Sequence, residues 1–484
     1  MTMQDGRGRR MGVFLIVAGL LALASAPPAL GADRLYWGNG GTDTISYANL
    51  DGSGGGGELN TSGATPGGPR GVVIDAAAGR IYWANQNTAT ISYANLDGSG
   101  GGDELNTSGA TITKPHGLAI DPTAGRIYWA DSGNTVSYAN LDGSGGDDLD
   151  LTGATPDAPY GATIDPAAGR IYWANLGNNT ISYANLDGSG GGDQLDITGS
   201  NPDEPHGLVI DHATGRIYWT NLISTISYAN INGSGGGGEL NLTGATEKGG
   251  VGLAVDPTTG RLFWGNLGSN GNPISYVNAD GTGGGGLLDT SPAIVSQARF
   301  PALLRAPSGT GAPQISGSSI AGSVLSCSPG SWAPDVLASF FYRAPQSIAY
   351  QWSRDGADIA GATESSYTPS LSGDYRCRET ATNAAGSTSQ TSDPHPVLGP
   401  PDTKLTKTKM DSRRGKVTFK FTATGHAWSF GCKLNRPDKP TPVKECSSPM
   451  TYKGLPPGRY RFQVRAYGPA GPDPTASEKR VTVR

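Results

Sequence analysis

One tetrapeptide recurs six times along the chain. It stands at Arg34-Leu-Tyr-Trp37, Arg80-Ile-Tyr-Trp83, Arg126-Ile-Tyr-Trp129, Arg170-Ile-Tyr-Trp173, Arg216-Ile-Tyr-Trp219 and Arg261-Leu-Phe-Trp264, with starts 46, 46, 44, 46 and 45 residues apart. A second string follows each copy: Ile45-Ser-Tyr-Ala-Asn-Leu-Asp-Gly52 and its counterparts opening at Ile91, Val136, Ile181, Ile226 and Ile274. A third string precedes all but the first, opening at Gly71, Gly117, Gly161, Gly207 and Gly252. Each string is rich in β-branched and aromatic residues and is bounded by Gly, Asn, Asp or Pro, the pattern of short strands between tight turns. With the Glu-Leu stretches at Glu58, Glu104 and Glu239, each repeat holds about four strands in roughly 45 residues, the size of one propeller blade. The array begins without its Gly-hydrophobic strand, and Arg299-Phe-Pro-Ala-Leu-Leu304 stands where a sixth one is due. The tail strand is therefore expected to complete the first blade and close a six-bladed ring over residues 34–304, with an open solenoid as the alternative.

The stretch Gly117-Leu-Ala-Ile-Asp-Pro-Thr-Ala-Gly-Arg-Ile-Tyr-Trp-Ala-Asp131, followed by Tyr138-Ala-Asn-Leu-Asp-Gly-Ser144, resembles the YWTD repeat of low-density-lipoprotein-receptor class B propellers. The resemblance extends over all six repeats and implies a six-bladed propeller used for protein binding. It departs from the motif at its last two positions, where only Ala130-Asp131 keeps the acid and Asn39, Asn85, Asn175, Asn221 and Asn266 replace it. Asn keeps an acceptor and adds donors, so a structural hydrogen bond is expected to survive, while a role that needs the carboxylate charge is not.

Charge and composition bound the rest. Residues 33–311 carry 11 Lys and Arg against 27 Asp and Glu, whereas residues 401–484 carry 18 against 6. An acidic body makes nucleic acid a poor partner, and the basic end makes an acidic cell-wall polymer a candidate one. The 75 Gly show no three-residue period, which excludes collagen. Arg7, Arg9 and Arg10 precede an apolar run from Met11 to Ala24 and then small residues, so residues 1–31 read as an export signal. The run is shorter than the ~20 residues a membrane span requires. The expected product is secreted or wall-associated.

Residues 32–305 are assigned to the propeller, 306–313 to a flexible linker, and 314–398 and 399–484 to two further all-β modules. All four Cys lie in these modules, and an even count in an exported chain suggests disulfides. Of the three pairings, domain logic favours Cys327 with Cys377 and Cys432 with Cys446. Cys327, Trp352 and Tyr375-Arg-Cys377 match the immunoglobulin pattern of a core Trp and a Tyr two residues before the second Cys. The first module resembles bacterial Ig-like domains. The second, with Lys416-Val-Thr-Phe-Lys-Phe421 and Arg459-Tyr-Arg-Phe-Gln-Val-Arg465, resembles fibronectin-type-III-like or Ig-like terminal modules.

Candidate site residues come from comparing the repeats with one another. The position before the Gly-hydrophobic strand holds Arg70, His116, Tyr160, His206 and Val251, with Phe300 as the sixth. This slot is expected to ring one mouth of the central channel and to contact a ligand, against the plainer reading of drifting rim residues. His116 and His206 lack an equivalent carboxylate, so no metal site is expected from them. The loops Asp97-Gly-Ser-Gly-Gly-Gly-Asp-Glu104 and Asp187-Gly-Ser-Gly-Gly-Gly-Asp193 make calcium a candidate, against a plain Gly-rich hairpin. Asp75, Asp121, Asp165, Asp211 and Asp256 read as turn caps. No nucleophile elbow, phosphate loop or metalloprotease motif occurs. The expected function is therefore that of a non-catalytic binding or adhesion protein. The alternative is a lyase- or lactonase-type propeller enzyme with His116 or His206 as general base, and a structural surface layer comes third.

Overall fold

In the computed structural model, residues 33–222, 224–246, 248–268, 273–437 and 439–484 are described. The export signal expected at residues 1–31 lies outside them. Among the described residues no helix is long and apolar enough to cross a membrane.

Six antiparallel four-strand blades form a propeller. In the second blade the order from the axis outward is Pro69–Asp75, Arg80–Asn85, Thr90–Asn95 and Asp103–Glu104. The ring closes as expected. Ala298–Leu304, from the end of the array, is the inner strand of the first blade and pairs with Arg34–Asn39. Just beyond the closing strand, Arg305 fastens the seam: it pairs with Asp33 at 2.8 Å and with Asp256 of the neighbouring blade.

The repeated strings are repeated interactions. The six Trp at 37, 83, 129, 173, 219 and 264 are fully buried between blades. The Arg three residues earlier lays its guanidinium over the Tyr of the next strand, 4.1 to 4.8 Å from the ring centre in every blade. Each such contact is worth about 0.5–1 kcal/mol at partly exposed sites. The Asn that replaces the acid of the motif is buried and bonded on both sides. Asn85 accepts from the backbone N–H of Gly67 and donates to Thr90 and Ser92, and Asn175 and Asn221 repeat the pattern. In the one blade that keeps the acid, Asp131 can only accept, and Ser137 turns its hydroxyl to Asp148 instead.

The inner strands approach one another so closely that the channel narrows to backbone contact. A Cβ at Gly117 would lie 2.5 Å from Ala162 N, at Gly161 2.2 Å from His206 O, and at Gly207 only 2.1 Å from Gly252 Cα. This explains the glycine that opens the third string of every full repeat.

Beyond the ring, Cys327 and Cys377 are bonded, as are Cys432 and Cys446. The first disulfide joins the sheet of Gln314–Gly317, Leu325–Ser328 and Ser366–Tyr367 to the sheet built on Ser347–Arg354 and Gly373–Asn383. Trp352 is fully buried, and the Tyr375 hydroxyl donates to Leu371 O at 2.9 Å, the corner bond expected of a Tyr two residues before such a Cys. A second sandwich repeats the device with Tyr460, whose hydroxyl donates to Pro456 O at 2.8 Å.

The segment 306–313 contains a strand, Gly309–Gly311, paired with Ser331–Trp332. More consequential is the chain between Cys327 and Trp352. Residues 336–342 leave the first sandwich and enter the propeller axis at the C-terminal ends of the inner strands. Phe341–Tyr342 pairs in parallel with Leu303–Leu304. The Ser339 hydroxyl donates to Ile210 O at 2.8 Å, and the Thr163 hydroxyl donates to Ala338 O at 3.1 Å. Phe341 and Tyr342 are fully buried and join the apolar core of the propeller, not that of their own sandwich.

Candidate functional site

The inner strands run side by side, so their second residues meet at the end of the axis opposite the inserted segment. Each strand bulges there, as the pairing register slips between Pro69 and Val72, Pro115 and Leu118, Pro159 and Ala162, and Pro205 and Leu208. The bulge re-aims the side chain toward the axis.

The register corrects one member of the expected slot. Val251 pairs with Gly265 in the sixth blade, and the residue that pairs with the equivalent Gly38 is Arg299, not Phe300. Phe300 instead occupies the place of the glycine. Its φ of 42°, like the 76° of Gly252, lies in the left-handed region that apolar sequence patterns do not anticipate for Phe. The ring of second residues is therefore Arg70, His116, Tyr160, His206, Val251 and Arg299, with the Phe300 side chain added from the bulge.

These side chains fill the mouth. The Tyr160 ring stacks on His116 with centroids 3.9 Å apart, meets His206 edge-on at 4.5 Å and lies 6.0 Å from Phe300. His116, His206, Val251, Arg299 and Phe300 are buried, while Arg70 and Tyr160 are half-buried. The Tyr160 hydroxyl receives Arg70 Nη1 and Arg299 Nη1, each at 3.5 Å. The other ends of these guanidiniums rest on Gln86 and Gln297 side-chain oxygens.

The titration of the two imidazoles follows from this setting. Burial, reinforced by the Arg70 charge, pushes His116 down to about 3. Burial also lowers His206, whose Nδ1 donates to Glu204 O at 2.7 Å. Both rings are neutral near pH 7. A general base works best with its pKa near the operating pH, and His116 lies far below it.

The other candidates fall into place as turn chemistry. Asp97 accepts from Ser99 N at 2.8 Å, and Asp187 accepts from Ser189 N at 2.9 Å. In the fifth blade Asn232 does the same for Ser234, so the geometry is met without the charge. Asp75, Asp121, Asp165, Asp211 and Asp256 accept from backbone N–H groups two or three residues on. Among the described residues no group of three or more His, Cys, Asp or Glu converges as a metal cage.

No protein-family model matches the chain, and no curated protein matches it. Among solved structures, the chain is similar to one in a nidogen/laminin complex. The identity is 18%, covering 56% of this chain and 98% of that one, with a TM-score of 0.43. A candidate 6-phosphogluconolactonase from Bacteroides fragilis is similar at 15% identity, over 57% of this chain and 99% of that one, with a TM-score of 0.40. A functionally unknown protein from Desulfotomaculum acetoxidans gives 16%, 56%, 98% and 0.39 in the same order. At these values none of the likenesses carries an argument about what this chain binds or does.

Proposed function

We propose that this chain is an exported, non-catalytic binding protein that presents the mouth face of its propeller to a protein or glycan ligand. The observation that carries this reading is the asymmetry of the axis. One end is occupied by the chain's own residues 336–342. The other end gathers a slot at which otherwise near-identical repeats differ, holding Arg70, His116, Tyr160, His206, Val251 and Arg299. Structural constraint keeps the repeated strings alike, whereas a recognition surface is free to differ from blade to blade. The two disulfides accord with an oxidising compartment. Burial lowers both imidazoles at the mouth, His116 to about 3, which favours binding over the lyase or lactonase alternative.

The second sandwich supplies a further contact in this reading. Arg459, Arg461, Gln463 and Arg465 alternate outward along one strand, with Lys433 and Arg480 on the flanking strands. Such a basic sheet face suits an acidic wall polymer.

The test is retention of envelope proteins and wall glycans on immobilised residues 33–484. Replacing Arg70, Tyr160 and His206 together with Ala is expected to weaken capture at least tenfold, while His212→Ala at the opposite end of the axis leaves it unchanged. Equal capture by all three proteins, with melting temperatures preserved, removes the mouth from the account. Turnover of a lactone that disappears with His206→Ala replaces the binding reading with the enzymatic one.

A further inference from the structure

The two arginines of the mouth are unusual in what they lack. Arg70 and Arg299 come from adjoining inner strands and converge on one phenol, so their Nη1 atoms lie within about 7 Å of each other. Their hydrogen-bond partners are neutral: Tyr160, Gln86 and Gln297. Among the described residues no carboxylate forms an ion pair with either. The Nε atoms of both, and Nδ1 of His116 beside them, are buried without a hydrogen-bond partner. Arg299 is only 7% exposed. Two like charges held together away from water are unfavourable unless an opposite charge joins them.

The contrast within the same fold is direct. Arg305, at the other end of the same inner strand, is given Asp33 and Asp256. The propeller also carries far more acid than base, so carboxylates are not scarce. They are missing at this place.

We infer that the channel mouth binds a single oxyanion group, a phosphate or a carboxylate, between the guanidiniums of Arg70 and Arg299 and against the Tyr160 hydroxyl. Arginine suits such a group because its planar fork of N–H donors matches two oxygens at once. The His116, Tyr160 and Phe300 rings pack together beside this site, and Arg70 and Tyr160 are its half-buried members. This refines the binding reading above by naming the group a ligand presents to the mouth, and its test is separate from the capture experiment.

Residues 33–484 are melted in chloride, and then with increasing sodium phosphate or sodium acetate at matched ionic strength. A ligand that binds only the folded state raises the melting temperature in a saturable way. The expected result is a saturable rise of several degrees with at least one of the two anions, which also tells phosphate from carboxylate. In Arg70→Gln/Arg299→Gln the saturable part disappears, and the melting temperature in chloride is equal to or above that of the parent, because the mutual repulsion is gone. Arginines that merely prop Tyr160 predict the opposite, a lower melting temperature in chloride. A rise that is linear in salt and the same in both proteins reflects exclusion of the salt from the surface and overturns the proposal, as does the absence of any rise. Should the double variant fail to fold, Arg70→Gln alone, at the half-exposed position, reads the same saturable response.

Discussion

At Arg299 and Phe300, one residue of register separates a charged site from an apolar plug. The sequence shows that a strand is due at residues 299–304, because the spacing and the apolar run require it. The spacing places Phe300 in the slot before the glycine, whereas in the structure Phe300 takes the glycine's own place, with a positive φ. The fold of the slot was thus legible, and its sixth member was not. The signal that would have found Arg299 is the pairing of the repeats' fifth strand residues, since Gly38 and Gly265 stand at the same place in their strings. The Asn that replaces the motif acid was legible for the opposite reason: a local acceptor with added donors serves wherever the neighbours are Ser and Thr.

The buried imidazole of His116 gives a pH prediction at this scale. Its folded pKa, about 3, lies below an unfolded value near 6.5. Below pH ~6.5 the unfolded chain takes up the proton first, so stability present above that pH is lost as pH falls toward 3. The slope from this one group is at most about 1.4 kcal/mol per pH unit. His116→Phe keeps the ring stacked on Tyr160 and removes the proton site. Urea unfolding between pH 7 and 4 is therefore expected to show a shallower loss of stability in the variant. Parallel curves for the two proteins would mean that the ring is not buried as described.

At the scale of elements, the inner strands and the inserted segment are coupled parts of one core. Gly207→Ala places a Cβ against the Gly252 backbone. Overpacking of this kind costs about 1–3 kcal/mol, measurable as a lower urea midpoint at unchanged slope. Phe341 is fully buried in the propeller core, and Phe341→Ala is expected to cost about 3–5 kcal/mol although residue 341 follows the ring in sequence. The apolar run Val336–Tyr342 is visible in the sequence. It was not legible as an insertion, because an apolar stretch between Cys327 and Trp352 is equally what a sandwich interior asks for. The disulfides and the Tyr375 corner were legible, since each depends on a spacing inside one module.

At the scale of the whole molecule, the propeller and the first sandwich are expected to unfold in one transition, because residues 336–342 belong to both. A protein ending at residue 311 would leave Leu303 and Leu304 without their partner strand and is expected to melt well below one ending at 398. Equal melting temperatures would show that the insertion contributes nothing. The basic second sandwich makes a different prediction. Retention of the full chain on immobilised polyphosphate should fall steeply with salt, and Arg459→Gln/Arg465→Gln/Arg480→Gln should elute at lower salt. Unchanged elution would exclude that face.

The account depends most on one end of the axis being occupied by residues 336–342, so that the mouth residues at the other end are the ones left to meet a ligand. Hydrogen exchange on residues 33–484 tests this directly, because the amide of Leu303 donates to Phe340 O and that of Arg305 donates to Tyr342 O, both at 2.9 Å. The account predicts that these amides exchange as slowly as those of the inner blade strands, through global unfolding alone. Exchange at Leu303 and Arg305 within seconds, while the blades remain protected, would show residues 336–342 to be an ordinary surface loop and the second end of the axis to be open.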